Sequence, residues 1–177
     1  MIQVLSQEHA GSVREQVKFH EGLCLEAYRD GVGVPTIGWG RNMRTRPPHL
    51  DLGRYISPDA GKITLEEAET LFAHDIREAF ERAQRIIRPG LYARLSDNRK
   101  AVIIDMAFNL GDRLGEFRKF IARLQLGNYE AAAFQMSDSK WAVQVGKRAD
   151  RLALMMGRDI PFKEAFHIVK DRAKKHE

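Results

Sequence analysis

A single cysteine, Cys24, occurs among the 177 residues. The chain therefore cannot form an internal disulfide, and its stability does not depend on an oxidising compartment. Cys24 itself is interpreted as a small apolar strand residue rather than as a nucleophile. The six histidines are scattered at positions 9, 20, 49, 74, 167 and 176 and form no cluster of metal ligands. We therefore expect neither a metal ion nor another cofactor.

The N-terminal segment lacks the features of a targeting signal. The stretch Met1–Leu5 is too short and too polar for a signal peptide or a membrane anchor. We therefore expect the protein to be made and held in the cytoplasm, so that any action on a cell wall requires another factor to let it through the inner membrane.

The composition is that of an ordinary globular protein, with 44% hydrophobic and 30% charged residues. The length allows a sizeable core, as one domain or as two closely packed lobes. The net charge of +5 favours an anionic partner. Nucleic acid, a membrane surface and a cell-wall polymer all fit, and charge alone does not choose among them.

A glutamate is predicted at the end of the first helix. Ser12 and Glu15 form a capping-box pattern that predicts a helix beginning at Val13, and Gly22 is suited to end it. Glu21 then lies in the last turn, where the negative end of the helix dipole disfavours a charged carboxylate. This position favours a proton donor.

A hairpin is predicted directly after this helix. Residues 23–27 alternate as in a half-buried strand, Asp30-Gly31 is typical of a hairpin turn, and Val34–Trp39 returns as the second strand. Asp30 is expected to be exposed and ionised, with Thr36 facing the same cleft. Two carboxyl groups in different environments can have different pKa values, so that one serves as the acid and the other as the base of the same site.

The run E-G-L-x-L-x-A-Y-x-D-G, followed by P-T-I-G-W-G, carries Glu21, Asp30 and Thr36. It resembles the phage T4-type lysozymes, the endolysin muramidases of glycoside hydrolase family 24. Their catalytic glutamate, aspartate and threonine have the same spacing. The resemblance continues through 107–111 and from Trp141 to Arg151, so it covers most of the chain.

The resemblance implies hydrolysis of the β-1,4 bond between N-acetylmuramic acid and N-acetylglucosamine in peptidoglycan, with inversion at the anomeric carbon. Glu21, Asp30 and Thr36 are the implied catalytic residues. It further implies lysis of the bacterial host at the end of a phage cycle. A holin would release the protein from the cytoplasm to the periplasm, without direct contact. We expect a monomer that binds no nucleic acid.

The expected fold is α+β, mostly helical and lysozyme-like. A small N-terminal lobe with the hairpin is expected over 1–63, a long connecting helix over 64–88, and a larger helical lobe over 89–177. A capping box at Thr64–Glu67 begins the long helix, which ends at Ile87 before Pro89-Gly90. The later helices are predicted from apolar stripes, with Ser96 and Asn128 as caps and Gly111, Gly127 and Gly157 as stops.

The candidate substrate-binding residues are Asn42, Phe108, Asn109, Gln144 and Arg148. Phe108 and Asn109 end a helix, where they contact sugar rings or, for Phe108, pack in the core; Trp141 is assigned to the core. The resemblance implies that Arg148 reaches Glu21 across the cleft, and the alternative is a solvated surface arginine. The polar residues of the family's sugar groove have no clear match, which leaves subsite preference open.

The sequence departs from the family at Arg41, where a histidine is common. Asp75 matches the acidic partner of that histidine, so we predict an Arg41–Asp75 ion pair without an acid-sensitive histidine. The segment Arg41–Lys62 is interpreted as a basic loop, either solvated or in contact with an anionic polymer.

The last segment, Pro161–Glu177, is predicted to form an amphipathic basic helix. It either packs on the helical lobe or disturbs anionic outer-membrane lipid.

Three further functions compete with muramidase action. They are a lytic transglycosylase, which needs one acid and no placed water, a DNA-binding helical protein, and an inactive wall-binding module. Asp30 and Thr36 argue against the transglycosylase, DNA binding does not explain Glu21, Asp30 and Thr36, and a turbidity assay on peptidoglycan distinguishes the wall-binding module.

Overall fold

The computed structural model describes the backbone from Gln7 to Lys174 and the side chains from Val13 onward. It is mostly helical with a three-stranded antiparallel sheet, which confirms the α+β class. The chain divides into two compact units. The sheet unit is Arg14–Ala79, and the helical unit comprises, among the described residues, 7–13 and 80–174. The boundaries expected near 63 and 88 stay a prediction.

The elements that form or enter the sheet unit are α1 (Gln7–Glu21), β1 (Cys24–Arg29), β2 (Pro35–Gly38), β3 (Arg41–Asn42), α2 (His49–Leu52) and α3 (Leu65–Ile87). The later helices are α4 (Pro89–Arg94), α5 (Asp97–Leu110), α6 (Arg118–Gln125), α7 (Tyr129–Ser137), α8 (Lys140–Val145), α9 (Lys147–Arg158) and α10 (Phe162–Lys174), with a 3₁₀ helix at Gly111–Glu116. None of the helices within 7–174 combines the length and the apolar composition needed to cross a membrane.

The start of α1 differs from the prediction. The described part of the helix already includes Gln7, so Ser12 and Glu15 lie inside it and the predicted capping box is wrong. Residues 7–11 contain no proline and one glycine, so nothing in them stops the helix. Its end is as predicted, because Gly22 takes a φ of +69° and donates its N–H to Lys18 O at 3.0 Å.

The hairpin formed by β1 and β2 is also present, but β1 is irregular. Arg29 pairs with Pro35 beside the turn, and the register shifts at a β-bulge between Cys24 and Tyr28. The regular alternation predicted over 23–27 is therefore wrong, since Leu23 lies outside the strand and is exposed. A bulge inserts residues that have no partner in the neighbouring strand.

The long helix begins as the sequence predicts. Thr64 N–H donates to Glu67 Oε2 at 2.8 Å, and Glu67 N–H donates to Thr64 Oγ1 at 3.1 Å, which is a reciprocal capping box. The helix ends at Ile87 as expected. The helix α4 was not predicted, and Pro89 stands at its start, where its missing N–H costs nothing.

Two predicted caps of the helical unit are confirmed. Ser96 accepts from Arg99 N–H, and Asn128 accepts from Ala131 N–H. The predicted stop of α9 at Gly157 is wrong, because the helix continues to Arg158. A Cβ at Gly157 would lie 3.3 Å from Ala133 Cβ, so this glycine permits close packing instead of ending the helix.

A buried ion network joins β3, α2 and α3. Arg41 Nη1 lies 2.8 Å from Asp75 Oδ1, which confirms the predicted pair. Arg41 Nη2 also pairs with Asp51, and Arg46 Nη1 lies 2.9 Å from Asp75 Oδ1. The network does include a histidine, because His74 Nδ1 lies 2.7 Å from Asp51 Oδ1.

Substitution of Asp75 by asparagine tests this network. The Asp75 side chain is 3% exposed and that of Arg41 is 5% exposed. The change therefore leaves the buried Arg41 guanidinium with Asp51 as its remaining carboxylate partner. We expect Asp75→Asn to lower the free energy of unfolding by about 3 kcal/mol in denaturant titrations. The matched control, Asp59→Asn, removes an exposed partner of Arg29 and should cost less than about 1 kcal/mol. Equal losses in the two variants would contradict a structural role for the network.

Substitution of Glu67 tests the capping box through its pH dependence. Hydrogen bonds from Arg54 and then from the Thr64 amide lower the pKa of Glu67 from 4.5 to about 2. A lowered pKa stabilises the fold above about pH 4.5, and this stabilisation is lost as the pH falls towards 2. We expect Glu67→Gln to cost about 1 kcal/mol at pH 7 and little near pH 2. Glu66→Gln, in the same helical turn, is the control; an equal pH dependence there would argue against the cap.

Candidate active site

Glu21 is held at the end of α1 by the backbone that follows β2. Gly40 has a φ of +77°, and a Cβ built on it would lie 2.9 Å from Glu21 Oε2. The carboxylate therefore packs directly against the Gly40 backbone, at a position where only glycine leaves it room. The helix and the sheet thus fix the position of Glu21 together.

Asp30 organises the hairpin turn. Its Oδ1 accepts the N–H of Val32 at 3.0 Å and that of Val34 at 2.8 Å. Its own N–H donates to Val34 O at 3.0 Å. These bonds close the turn and fix the direction of the carboxylate, as side-chain acceptors do in Asx turns.

Thr36 lies at the middle of the sheet and is only 5% exposed. It pairs with Tyr28 in β1 and with Asn42 in β3, so the three side chains form one row on the same face of the sheet. Thr36 Oγ1 donates to Val34 O at 3.0 Å. Because its hydrogen is used there, the hydroxyl presents its lone pairs to any other partner.

Tyr28 is the residue of this site that the sequence analysis missed. Burial raises the pKa of its phenol, and the charges of Cys24, Glu21 and Asp30 raise it further. The two predicted catalytic carboxylates therefore act on one and the same side chain. The quoted sequence run contained Tyr28, but the bulge that brings it opposite Thr36 leaves no recognisable sequence pattern.

Asn42 is engaged in its own turn. Its Oδ1 accepts the N–H of Arg44 at 2.9 Å and that of Thr45 at 3.2 Å. The side chain thus stabilises the chain after β3, while its place in the row with Thr36 keeps it beside the predicted catalytic residues. Its role in substrate binding stays a prediction.

The helical unit holds Phe108 and Asn109 at the end of α5, where both are partly exposed. Asn109 Oδ1 accepts the indole N–H of Trp141 at 2.8 Å. Trp141 is 5% exposed and contacts Phe117 edge to face at 6.0 Å, so its assignment to the core is confirmed. The amide of Asn109 is therefore held in a fixed orientation at the surface.

Gln144 lies at a groove of about 620 Å³ in the same unit. The groove is lined by Leu110, Arg113, Glu116, Phe117, Arg118, Lys119, Phe120, Gln135, Asp138, Ser139, Lys140, Trp141 and Gln144. Trp141 and Phe117 supply apolar surface, and most of the other side chains are charged or polar. A groove of this composition suits a polar ligand, although the role of Gln144 stays a prediction.

Arg148 is buried on α9, which argues against a solvated surface arginine. Its Nε lies 2.8 Å from Asp105 Oδ1, and the Asp105 side chain is fully buried. The predicted approach of Arg148 to Glu21 joins residues of the two different units and stays a prediction.

In the sheet unit, burial and the charges of both Glu21 and Asp30 raise the pKa of the Tyr28 phenol. Thr36, which is buried, pairs with Tyr28 across the strands. An acid and a base or nucleophile of this kind are what glycoside hydrolases use to cleave a sugar–sugar bond. The predicted catalytic residues are therefore of the types that a glycoside hydrolase requires.

Comparison with known proteins shows the family to which the chain belongs. The family model of phage lysozyme matches residues 18–158. The probable T4-type lysozyme 2 of Dictyostelium discoideum is 27% identical over 154 residues, which cover 80% of this chain and 91% of the relative. The endolysin of Salmonella phage P22 is 27% identical over 118 residues, 67% of this chain and 73% of the relative.

A third relative is much longer. The pre-baseplate central spike protein Gp5 of Enterobacteria phage T4 is 29% identical over 157 residues, 82% of this chain, and the match spans 27% of the spike protein. Because the family model matches well over half of the chain, the chain belongs to the phage lysozyme family. It is a glycoside hydrolase of the lysozyme class, which degrades peptidoglycan.

The contact between Gly40 and Glu21 is open to a direct test. In Gly40→Ala the new methyl group would displace the Glu21 carboxylate, and a displacement of about 1 Å can cost about a hundredfold in rate. We expect a loss of that order in the clearing of purified peptidoglycan. Gly53→Ala is the matched control, since Gly53 has a φ of +67° but no atom within 4 Å of its built Cβ. Similar activity in the two variants would contradict the contact.

Proposed function

We propose that the protein hydrolyses the β-1,4 bond between N-acetylmuramic acid and N-acetylglucosamine in peptidoglycan. Glu21 acts as the general acid and protonates the glycosidic oxygen. Asp30 and Thr36 orient and activate a water molecule on the opposite face of the sugar. Water attack on the opposite face inverts the anomeric carbon. This scheme needs no metal ion and no cofactor.

One observation carries this proposal. The charges of Glu21 and Asp30 both act on the phenol of Tyr28, which pairs across the sheet with Thr36. These interactions support the assignment of Glu21, Asp30 and Thr36 to one site as an acid, a base and a water-binding hydroxyl. Inversion requires that a water molecule fit between substrate and base, and it predicts carboxyl groups about 6.5–9.5 Å apart.

The hydrogen bonds of the hairpin support the roles of Asp30 and Thr36. Asp30 Oδ1 is occupied by two backbone amides, so we assign the contact with water to Oδ2. Thr36 has its hydrogen on Val34 O, so it accepts a hydrogen from the same water. Water held by two acceptors presents an oxygen lone pair to the sugar carbon.

We also propose that the protein acts as an endolysin that lyses the bacterial host at the end of a phage cycle. In that role it is a monomer that stays in the cytoplasm until a holin lets it reach the periplasm, and the holin need not touch it. The endolysin names of two phage relatives support this assignment. The net charge of +5 favours association with an anionic wall polymer.

Action on anionic outer-membrane lipid is the alternative function of the C-terminal segment. In the helical unit, α10 buries Ala165 and Val169, and the guanidinium of Arg151 lies 5.2 Å from the ring centre of Phe166. These contacts support a packing role for α10. Its apolar face would meet lipid only after the helix had separated from its neighbours.

Substitution of the general acid gives the principal test. We expect Glu21→Gln to lower the rate of clearing of purified sacculi by at least about a hundredfold, because glutamine cannot donate the proton. The fold should be retained, as judged by circular dichroism and the melting temperature. Glu15→Gln, the same substitution at an exposed position of α1, is the matched control and should clear sacculi at the wild-type rate.

The products of the same digestion separate hydrolysis from transglycosylation. Hydrolysis in ¹⁸O-labelled water places one labelled oxygen at each new reducing end. A lytic transglycosylase instead leaves unlabelled anhydro-muramic ends. Clearing by Glu21→Gln at the rate of Glu15→Gln, or anhydro ends from the wild type, would refute the proposed mechanism. Binding to sacculi without any clearing by the wild type would indicate a wall-binding module.

A further inference from the structure

Lys18 lies on α1, one helical turn before the predicted general acid. Its Nζ lies 2.5 Å from Glu69 Oε1, so the side chain pairs α1 with α3. The same ammonium group lies 4.2 Å from the centre of the Trp39 ring. A cation within about 6 Å of an aromatic ring centre is attracted by the electrons of that ring. Lys18 therefore contacts two other segments of the sheet unit at once.

Trp39 stands between β2 and β3 and is only 8% exposed. Its ring packs on that of Phe72 in α3, with 5.3 Å between the ring centres and 57° between the planes. The ammonium group of Lys18 lies 5.1 Å from the centre of the Phe72 ring as well. Because contacts with α1 and with α3 both hold the buried indole, the backbone that carries it has little freedom to shift.

The residue after Trp39 is Gly40, against which the Glu21 carboxylate packs. A Cβ built on Gly40 would lie 2.9 Å from Glu21 Oε2 and 3.6 Å from its Cδ. On α1, Lys18 O accepts the N–H of Gly22 at 3.0 Å and so closes the helical turn that carries the glutamate. Lys18 therefore joins the helix end that bears Glu21 to the turn that supports its carboxylate.

We propose that Lys18 is a positioning residue of the active site. Through Trp39 it holds the turn after β2 against the end of α1, so that the Glu21 carboxyl group keeps one position for proton transfer. This inference rests on the proposed function, in which Glu21 is the general acid. It adds to that function a residue that acts through the indole and the adjoining glycine rather than on the sugar.

Arg14 provides a comparison on the same helix. Its Nη2 lies 3.3 Å from Glu69 Oε2, and its guanidinium carbon lies 5.0 Å from the centre of the Phe72 ring. It thus shares one carboxylate and one ring with Lys18, and the two side chains are 34% and 23% exposed. Of these two described cations, Lys18 is the one that lies over the Trp39 ring. The pair therefore separates the contact with Trp39 from the contacts that both cations make.

The variant Lys18→Met removes the charge and keeps an unbranched side chain. We expect kcat on soluble peptidoglycan fragments to fall about tenfold and KM to change less than about twofold, because a displaced general acid affects the transition state more than substrate binding. The matched control, Arg14→Met, should lower the melting temperature by a similar amount and leave kcat at the wild-type level. Lys18→Arg keeps a cation over the ring and should recover most of the lost kcat.

Two results of this comparison would overturn the proposal. Equal kcat in Lys18→Met and Arg14→Met would mean that both cations act on stability alone. A Lys18→Arg variant as slow as Lys18→Met would mean that the charge over the indole is not the cause of the loss.

A double-mutant cycle tests whether the effect passes through the indole. In a Trp39→Leu background, Lys18→Met should lower kcat no further, and Arg14→Met should again leave it unchanged. In denaturant titrations, the midpoint shifts of Lys18→Met and Trp39→Leu should sum to more than the shift of the double variant. Additive effects on kcat would overturn the route through Trp39, and additive midpoint shifts would overturn the contact itself. If Trp39→Leu does not fold, the single variants decide the proposal.

The two proposals fail in different ways. If Glu21→Gln does not clear sacculi and Lys18→Met behaves as Arg14→Met, only the role of Lys18 is refuted. If Glu21→Gln clears sacculi normally, the proposed function itself is refuted. In that case the denaturant titrations still report whether Lys18 and Trp39 interact.

Discussion

The buried guanidinium of Arg41 is the constraint on which the sheet unit depends. A buried charge is costly unless groups of opposite charge pair with it. The position of β3 therefore requires Asp51 on α2 and Asp75 on α3 to lie beside Arg41. Gly40, the preceding residue, supports the Glu21 carboxylate. The arrangement of the predicted general acid thus depends on an ion network formed by other residues of the sheet unit.

The same network explains where much of the basic charge of 41–62 is used. Arg41 and Arg46 pair with Asp75, and Arg54 forms two short hydrogen bonds with Glu67. Three of the arginines that suggested contact with an anionic polymer are therefore structural. A count of charges in a sequence does not distinguish a guanidinium that is neutralised inside a fold from one displayed to a ligand.

The sequence was sufficient to predict those structural features that are formed by residues close together in the chain. The Thr64 box, the Ser96 and Asn128 caps and the Gly22 stop follow from neighbouring residues, as does the hairpin that carries Asp30. The bulge, the continuation of α9 past Gly157 and the Arg148–Asp105 pair depend on partners far away in the sequence. Those partners have no local signature, and Tyr28 was missed for that reason.

The pairing of Leu25 and Ala27 with residues 61–63 also has a consequence for the order of assembly. A hairpin closes within microseconds, whereas a contact between distant segments waits for the intervening chain to be ordered. The register that sets Tyr28 opposite Thr36 therefore depends on backbone hydrogen bonds between β1 and residues 61–63. A chain that ends before Gly61 would contain all three predicted catalytic residues but would lack the backbone partners of Leu25 and Ala27.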